Sequence, residues 1–304
     1  MDPLVSVIIP TFNDWDRLKL CLNALEKQTF SIKDTEILVV NNSIDDDCPY
    51  QLDSNVRLLR EVTPGSYAAR NRALGVAKGN ILGFTDSDCI PNENWIKSGV
   101  DKFKQINEEF KVVSGNINLF YSSENPSTLA EHYEAQFGFR HLEKKTSRTK
   151  TFVTANVFIS KNVFDRVGLF NEKLFSGGDS DLAKRIKNSK INIHYCEQCL
   201  IEHPARKNFK DLLNKRVRIF GGKIKNKALS QNIKISGFNK PYLNIIWKEL
   251  KQQKKKWKAD RYRAKHETKP KVESTKVIKA LNLIFIGIVK EALHLSISSR
   301  FKRE

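Results

Sequence analysis

The sequence lacks a regular cysteine pattern, a signal peptide and a long apolar run. Its five cysteines are an odd number without framework spacing, which argues against a disulfide-stapled secreted domain and favours a reducing compartment. No basic segment precedes the apolar residues 4–9, as a signal peptide would require. The longest apolar run, residues 280–289, is about half the length that a membrane-spanning helix needs. We therefore expect a cytoplasmic protein that does not cross the membrane.

Acidic residues are scarce in the last third of the chain. From Ala205 to Glu304 the sequence has 28 Lys and Arg against 7 Asp and Glu. The preceding residues carry 25 basic and 27 acidic side chains, so the net charge of +19 originates in the last third. Such a concentration of positive charge indicates an anionic partner, either an acidic membrane surface or a nucleic acid.

The order of the hydrophobic patterns predicts the fold. A chain of 304 residues with 40% hydrophobic residues can bury a real core. Strand-like and helix-like segments alternate up to about residue 204, which is typical of a mixed, mostly parallel sheet flanked by helices. The predicted strands are Leu4–Pro10, Glu36–Val40, Val56–Leu59, Ile81–Thr85, Val112–Ile117 and Phe152–Ser160. We expect an α/β domain over residues 1–205 and a basic helical extension over residues 206–304.

Helix boundaries are predicted from capping residues. Asn13 or Asp14 can cap the first helix, and Ser66 can cap a helix from Tyr67 to Lys78 that Gly79 ends. Further helices are expected at residues 94–106, 127–139 and 181–187.

Short polar side chains follow three of the predicted strands. They occupy Thr11–Asn13, Asn41–Ser43 and Asp86–Asp88. Ligands of open parallel sheets bind at the carboxyl ends of the strands, so these clusters predict one binding site. Asp86 and Asp88 provide the closely spaced oxygen ligands that a hard divalent cation needs, and such a cation can bridge a diphosphate. The alternative is an Asx-turn without a ligand.

A second acidic cluster follows two glycines at Gly177 and Gly178. Asp179 at the start of a helix can act as a general base towards a substrate hydroxyl. The alternative is that Asp179 or Asp181 only caps the helix.

Five motifs in this order resemble family 2 glycosyltransferases of the GT-A fold. They are Val7–Asn13, Val39–Ser43, Gly65–Asn71, Asp86–Asp88 and Gly178–Leu182. The resemblance covers roughly residues 4–206 and implies an inverting, metal-dependent transfer of a sugar from a nucleotide-diphosphate sugar to a hydroxyl acceptor.

The resemblance also implies roles for individual residues. Asp88 and Asp86 would hold Mg²⁺ or Mn²⁺, Asp86 would also approach the ribose, and Asp179 would be the catalytic base. Nucleotide contacts are implied for Thr11, Asn13, Asn41, Arg70 and Asn71. The sequence departs from the family pattern at Asn41 and at Gly178, where many relatives carry Asp and Glu. The Asn41 departure affects the expected contact to the base.

His203 lies where the α/β pattern ends. By analogy with some GT-A enzymes it would complete the metal shell, since a neutral imidazole binds such ions. The alternative is a surface histidine before a proline turn. Zinc at Cys196, Cys199 and His203 is a further alternative, although a fourth ligand is not apparent.

The basic third contains two notable stretches. Residues 247–263 combine lysines with Trp257 and Tyr262, and residues 277–297 are mostly apolar. Together they predict a helix that lies on an anionic membrane surface. The alternatives are a solvated helix that packs on the body through residues 245–250 and a nucleic-acid-binding tail.

The sequence therefore predicts a hexosyltransferase-type enzyme. It would be peripheral on the inner face of the membrane and act in surface polysaccharide or glycolipid assembly, with a glycan or lipid-linked acceptor. The rival functions are a nucleotidyltransferase and a non-catalytic protein that binds nucleotide-sugars or nucleic acid. The sequence does not predict the identity of the donor sugar, the nucleotide or the acceptor.

Overall fold

The computed structural model describes residues 4–44, 48–139, 148–149, 151–174, 176–235 and 239–297. The chain forms two compact units. The first comprises Met1–Asn118, Phe139–Lys173 and Gly178–Pro204, and the second comprises Leu119–Gly138, Leu174–Gly177 and Ala205–Glu304. The final boundary thus falls beside the predicted one, but the second unit also takes in two segments from the middle of the chain.

The first unit contains a nine-stranded sheet and most of the shorter helices. Its strands are β1 (Val5–Thr11), β2 (Thr35–Asn41), β3 (Val56–Arg60), β4 (Ile81–Thr85), β5 (Ile90–Pro91), β6 (Val112–Phe120), β7 (Arg148–Thr149), β8 (Asn156–Ser160) and β9 (Ile193–Pro204). The helices of the chain are α1 (Trp15–Glu26), α2 (Ser66–Leu74), α3 (Trp95–Gln105), α4 (Leu129–Phe137), α5 (Asn162–Val167), α6 (Gly178–Asn188), α7 (Phe209–Ser230), α8 (Lys240–His266) and α9 (Ser274–Ile297), with a 3₁₀ turn at Ile32–Asp34.

The sheet is mixed. Its order is β3-β2-β1-β4-β8-β6-β9-β5, and β7 pairs with β9. The first four strands in this order are parallel, whereas β8 runs antiparallel to β4 and β6. The register sets Thr11 at the end of β1 beside Asn41 at the end of β2. Two of the predicted polar clusters therefore lie side by side.

Side chains of the buried strands pack against helices on both faces of the sheet. Val7 and Ile9 belong to one hydrophobic cluster, whereas Ile8 belongs to another. Because successive side chains of a strand point to opposite faces, these clusters lie on the two sides of the sheet. The first includes residues of α1 and α3, and the second includes residues of α2, α5 and α6. This arrangement confirms the predicted α/β fold with flanking helices.

Two predicted boundaries of the second helix are wrong. Helix α2 begins at Ser66, so that Gly65, with a φ of 119°, is its N-cap. The helix ends at Leu74 and not at Lys78. Gly79 has a different role, because a Cβ there would come within 2.5 Å of the backbone nitrogen of Ser6. This glycine allows the chain to approach β1 closely.

The second unit is helical and has its own core. Side chains from α4, α7, α8 and α9 form one hydrophobic cluster. Ile284 and Ile288, within the apolar stretch that is predicted to lie on a membrane surface, are each only 4% exposed, so these two side chains do not face a membrane. Their apolar face serves the core of this unit instead. None of the helices in the described part of the chain combines the length and the apolar composition that crossing a bilayer requires.

Candidate active site

A cavity of about 350 Å³ opens at the carboxyl ends of β1 and β4. Polar side chains dominate its lining, which consists of Pro10, Thr11, Phe12, Asp14, Arg17, Asn42, Ser66, Arg70, Asp86, Ser87 and Asp88. Of the predicted site residues, four line it. These are Thr11, Arg70, Asp86 and Asp88. The strand-end argument thus located a real cavity.

A buried arginine and an aspartate form an ion pair in this cavity. Arg70 is only 3% exposed, and its NH2 group lies 2.5 Å from Oδ1 of Asp86. Its Nε is also buried and has no hydrogen-bond partner among the described residues. Desolvation raises the pKa of the Asp86 carboxyl, while Arg70 acts in the opposite direction and the Asp88 charge adds to the increase. A cation bound beside these two carboxylates would favour their charged forms.

Asp88 faces His203 across the same region. Oδ1 of Asp88 lies 3.9 Å from Nε2 of His203, and the imidazole is largely buried. Nδ1 of the ring lies 2.8 Å from the carbonyl oxygen of Pro204. Because that carbonyl can only accept, Nδ1 is the protonated nitrogen, and in the neutral ring Nε2 directs its lone pair towards Asp88.

Cys89 completes a group of three possible metal ligands with Asp88 and His203. Their ligand atoms lie within 4.8 Å of one another, and this is the one such group found among the described residues. Burial raises the pKa of the Cys89 thiol well above its ordinary value, and sulfur is a soft ligand that hard cations such as Mg²⁺ do not prefer. The oxygen of Asp88 and the nitrogen of His203 are the usable donors. Cys196 and Cys199 lie instead in the hydrophobic core.

Asp179 is held by Thr154, which lies in the turn just before β8. The Oγ1 of Thr154 donates to Oδ1 of Asp179 at 3.0 Å, and the backbone N–H of Thr154 approaches Oδ2 at 3.4 Å. The charge of Asp179 makes a small contribution to the raised pKa of Asp86, and Asp179 is not among the residues that line the cavity. Asp179 lies in the first turn of α6, which begins at Gly178.

Asn13, Asn41 and Asn71, which are predicted to contact the nucleotide, form hydrogen bonds with protein groups. The amide of Asn41 donates to Oδ1 of Asn13 at 3.0 Å, and Oδ1 of Asn41 accepts from the backbone N–H of Asn13. Asn71 donates to the carbonyl of Phe170 and to Glu172. Unlike Thr11 and Arg70, these three side chains are not part of the described cavity lining.

The sequence assigned no individual role to several lining residues. Asn42, which belongs to the predicted cluster Asn41–Ser43, donates to the carbonyls of Glu61 and Thr63 and so holds the following loop. Asp14 and Arg17 form an ion pair at the start of α1. Their spacing of three residues on a predicted helix was the signal that could have identified this pair.

The sequence comparisons agree with this architecture. A family model described as glycosyl transferase family 2 matches residues 6–168. Glycosyltransferase AglE of Haloferax volcanii is 34% identical over 231 residues, which cover 73% of each chain. The pre-mycofactocin glycosyltransferase of Mycobacterium tuberculosis is 25% identical over 228 residues, which cover 72% of this chain and 46% of the relative.

Two solved structures share the fold. The mannosyltransferase PcManGT from Pyrobaculum calidifontis, in complex with GDP-Man and Mn²⁺, superposes with a TM-score of 0.60 at 17% identity, over 96% of this chain and 88% of its own. TarS (residues 1–349) of S. aureus gives a TM-score of 0.53 at 17% identity, over 95% and 92% of the two chains. With the GT-A fold and these relatives, the chain belongs to glycosyl transferase family 2 and is a glycosyltransferase.

Proposed function

We propose that this protein transfers one sugar from a nucleotide-diphosphate sugar to an acceptor hydroxyl, with inversion at the anomeric carbon and with Mg²⁺ or Mn²⁺. The observation that carries the proposal is the grouping of Asp88 and His203 beside a cavity that Arg70 and Asp86 also line. Its size and polar lining suit part of a nucleotide-sugar, and the charge of Asp179 acts on the Asp86 carboxyl.

The donor atoms fit a hard divalent cation. Asp88 offers a carboxylate oxygen, and the tautomer of His203 leaves Nε2 as a ligand on the same side. Such a cation would neutralise the charge of the leaving diphosphate. The Mn²⁺ in the structure of the Pyrobaculum mannosyltransferase supports this choice by analogy. Asp86, which is paired with Arg70, would orient the ion or the ribose.

The remaining predicted residues would shape the nucleotide site. Thr11 and Arg70 would contact the donor from the cavity lining. Asn13 and Asn41 would act through their mutual hydrogen bonds, which fix the ends of β1 and β2. Asn71 would act through the loop that it binds at Phe170.

Asp179 would remove the proton from the acceptor hydroxyl as the oxygen attacks the anomeric carbon. A general base must keep a free lone pair in reach of its substrate. The two donors from Thr154 fix the orientation of the carboxylate but engage each oxygen only once. Among the described residues, no further donor engages these oxygens, so a second lone pair of each is available there.

A screen of nucleotide-sugars tests the transferase proposal. We expect release of a nucleoside diphosphate that requires Mg²⁺ or Mn²⁺ and stops with EDTA. Asp88→Asn should reduce the rate by about a thousand-fold or more, because the diphosphate charge is no longer neutralised. Asp165→Asn, which removes an exposed acid on α5, is the matched control and should be unaffected.

The products of that screen separate the rival functions. Inversion predicts a change of anomeric configuration in the glycosylated product, which NMR detects. Release of nucleoside monophosphate or pyrophosphate would instead identify a nucleotidyltransferase. Binding of nucleotide-sugars without turnover would contradict an enzymatic role.

We also propose that the second unit binds an anionic membrane surface, where a glycan or lipid-linked acceptor for surface-glycan assembly would be located. On α9, Leu283, Ile286 and Leu293 are 37–50% exposed, and Lys279 and Lys290 are exposed on the same helix. The basic side chains contribute roughly 1 kcal/mol each near an acidic bilayer. The apolar side chains add a term that salt does not weaken.

Sedimentation with vesicles tests the membrane proposal. We expect binding to phosphatidylcholine vesicles only when phosphatidylserine is present, with partial loss at high salt. Reversing Lys254, Lys255, Lys256 and Lys258 to Glu should weaken it strongly. Reversing Lys33, Lys104, Lys184 and Lys187, which are exposed in the first unit, is the control. Tight binding to RNA or DNA without vesicle binding would overturn the proposal.

A further inference from the structure

Arg17 is the second arginine in the cavity lining, and none of the roles described above uses it. It projects from the first turn of α1, and its side chain is 55% exposed. Arg70, by contrast, is buried and committed to Asp86. An exposed, long and permanently charged side chain can change partners at little cost. The Arg17 side chain can therefore change partners more readily than the Arg70 side chain can.

Two acids share Arg17 in the structure. Asp14 binds it with both oxygens, since Nε lies 2.8 Å from Oδ1 and NH2 lies 2.7 Å from Oδ2. Asp88 is the other acid, and its Oδ2 lies 3.6 Å from NH1 of Arg17. Of the two predicted caps, Asn13 and Asp14, it is Asp14 that lies at the N-cap position of α1, but its side chain makes no capping hydrogen bond. Asp14 holds the arginine instead.

We propose that Arg17 makes the binding of the metal and of the donor diphosphate depend on each other. This inference rests on the proposed metal site at Asp88. A divalent cation at Asp88 would lie within a few ångströms of the guanidinium, and two cations at that separation repel. Without a diphosphate, Arg17 therefore competes with the metal for Asp88.

A bound diphosphate removes the competition between Arg17 and the metal for Asp88. Its oxygens can accept hydrogen bonds from the planar guanidinium, which is suited to phosphate groups. Arg17 then turns from Asp88 to the diphosphate, and the metal gains an anionic ligand as well. The two ligands should bind more tightly together than separately, and this coupling is reciprocal.

The first measurement is the affinity for Mn²⁺ alone, followed by electron paramagnetic resonance. Arg17→Met removes the competing cation, and we expect Mn²⁺ to bind about five-fold more tightly than to the wild type. Asp14→Asn should have the opposite effect, because it frees Arg17 to pair with Asp88. Arg17→Lys keeps the positive charge and should resemble the wild type. Lys33→Met, which removes an exposed charge elsewhere in the first unit, is the control.

The second measurement is the affinity for manganese pyrophosphate, formed before mixing and titrated by calorimetry. Here we expect Arg17→Met to bind about ten-fold more weakly, because the phosphate contact is lost. Opposite changes in the two experiments are the signature of the proposal. A merely structural Arg17 would alter the melting temperature and leave both affinities unchanged.

The outcomes also distinguish this inference from the metal site on which it rests. If the wild type does not bind Mn²⁺, the proposed site at Asp88 fails and this inference fails with it. If the wild type binds Mn²⁺ and Arg17→Met binds it equally or more weakly, the role of Arg17 is wrong while the metal site stands.

Discussion

Two acids in the two units of the protein occupy similar helix positions but have different surroundings. Asp179 lies in the first turn of α6, and Glu131 lies in the first turn of α4. Glu131 is fully buried and accepts from the backbone N–H groups of Ser122, Ser127 and Thr128 and from the hydroxyl of Ser127. Within the described part of the chain, Asp179 accepts from Thr154 alone, and it is partly exposed.

The difference indicates what each acid does. Glu131 forms a reciprocal capping box with Thr128, which satisfies the free N–H groups at a helix start. The hydrogen bonds from Ser122 and Ser127 outweigh burial and lower the pKa of Glu131 to about 2. A carboxylate whose oxygens are all engaged cannot take a proton from a substrate near neutral pH. Asp179 keeps free lone pairs, as a base requires.

Of these two acids, Asp179 is expected to give the larger effect when it is substituted. Asp179→Asn should keep the KM for the donor and lower kcat by about 10² to 10⁴-fold, because an amide cannot accept the proton. A plain capping acid would tolerate this change, since Asn caps nearly as well. Steady-state kinetics, with folding checked by circular dichroism, distinguish the two.

Asp181 provides the matched control for this substitution. It lies on the same helix and pairs with Arg185 at 3.0 Å. Asp181→Asn should therefore cost less than about ten-fold in kcat, since a partly exposed ion pair contributes little. Equal losses in the two variants would mean that the helix start, and not a particular base, is being disturbed.

The second expected effect is on stability and concerns Glu131. Glu131→Gln places an amide donor against several N–H donors, and we expect a loss of about 2 to 3 kcal/mol in the free energy of unfolding near neutral pH. Urea unfolding followed by circular dichroism measures it. Asp211→Asn, which changes an exposed acid in the first turn of α7, should change stability by less than about 0.5 kcal/mol.

The pH dependence of stability provides a second test of the role of Glu131. The pKa of Glu131 is about 2 in the folded protein, against an ordinary value of 4.5. A depressed carboxyl pKa stabilises the fold above the ordinary value, and this stabilisation is lost as the pH falls towards the folded pKa. The stability gap between wild type and Glu131→Gln should therefore shrink by roughly 2 kcal/mol between about pH 7 and pH 3. A constant gap would contradict the role of the charge.

The surroundings of Asp179 and Glu131 also show which features the sequence could predict and which it could not. The strand ends and the clusters at Thr11 and Asp86–Asp88 followed from apolar runs and short polar side chains, which are local signals. The partners of Asp179 did not, because Thr154 is 25 residues away in the chain. The capping box of Glu131 was readable as Thr-x-x-Glu, but that signature was overlooked.

The C-terminal third illustrates a second limit of prediction from sequence. Its charge and helical character were evident from composition. The burial of Ile284 and Ile288 was not, because an apolar helix face can meet a membrane or another helix equally well. Only the packing of α9 with α7 and α8 decides between them. In the same way, the pairing of Asn13 with Asn41 depends on the register of β1 and β2.

The smallest expected effect concerns the start of α6 itself. The first N–H group of this helix, that of Gly178, donates to the hydroxyl of Tyr67 at 2.8 Å. Tyr67 thus provides the capping acceptor that Asp179 would otherwise provide. Tyr67→Phe should cost about 1 kcal/mol, since one partly buried hydrogen bond is lost. Thermal unfolding measures this change.

The ring of Tyr67 explains the glycine at position 178 and allows a double-mutant cycle. A Cβ on residue 178 would come within 2.5 Å of that ring, so Gly178→Ala should destabilise the protein and lower kcat by displacing Asp179. In a Tyr67→Ala background the ring is gone, and the same substitution should be neutral or favourable, because alanine forms helix better than glycine by about 1 kcal/mol. A stabilising Gly178→Ala in the presence of Tyr67 would mean that the ring gives way. The start of α6 would then be free to shift, and the fixed position of Asp179, on which the contrast with Glu131 depends, would have to come from Thr154 alone.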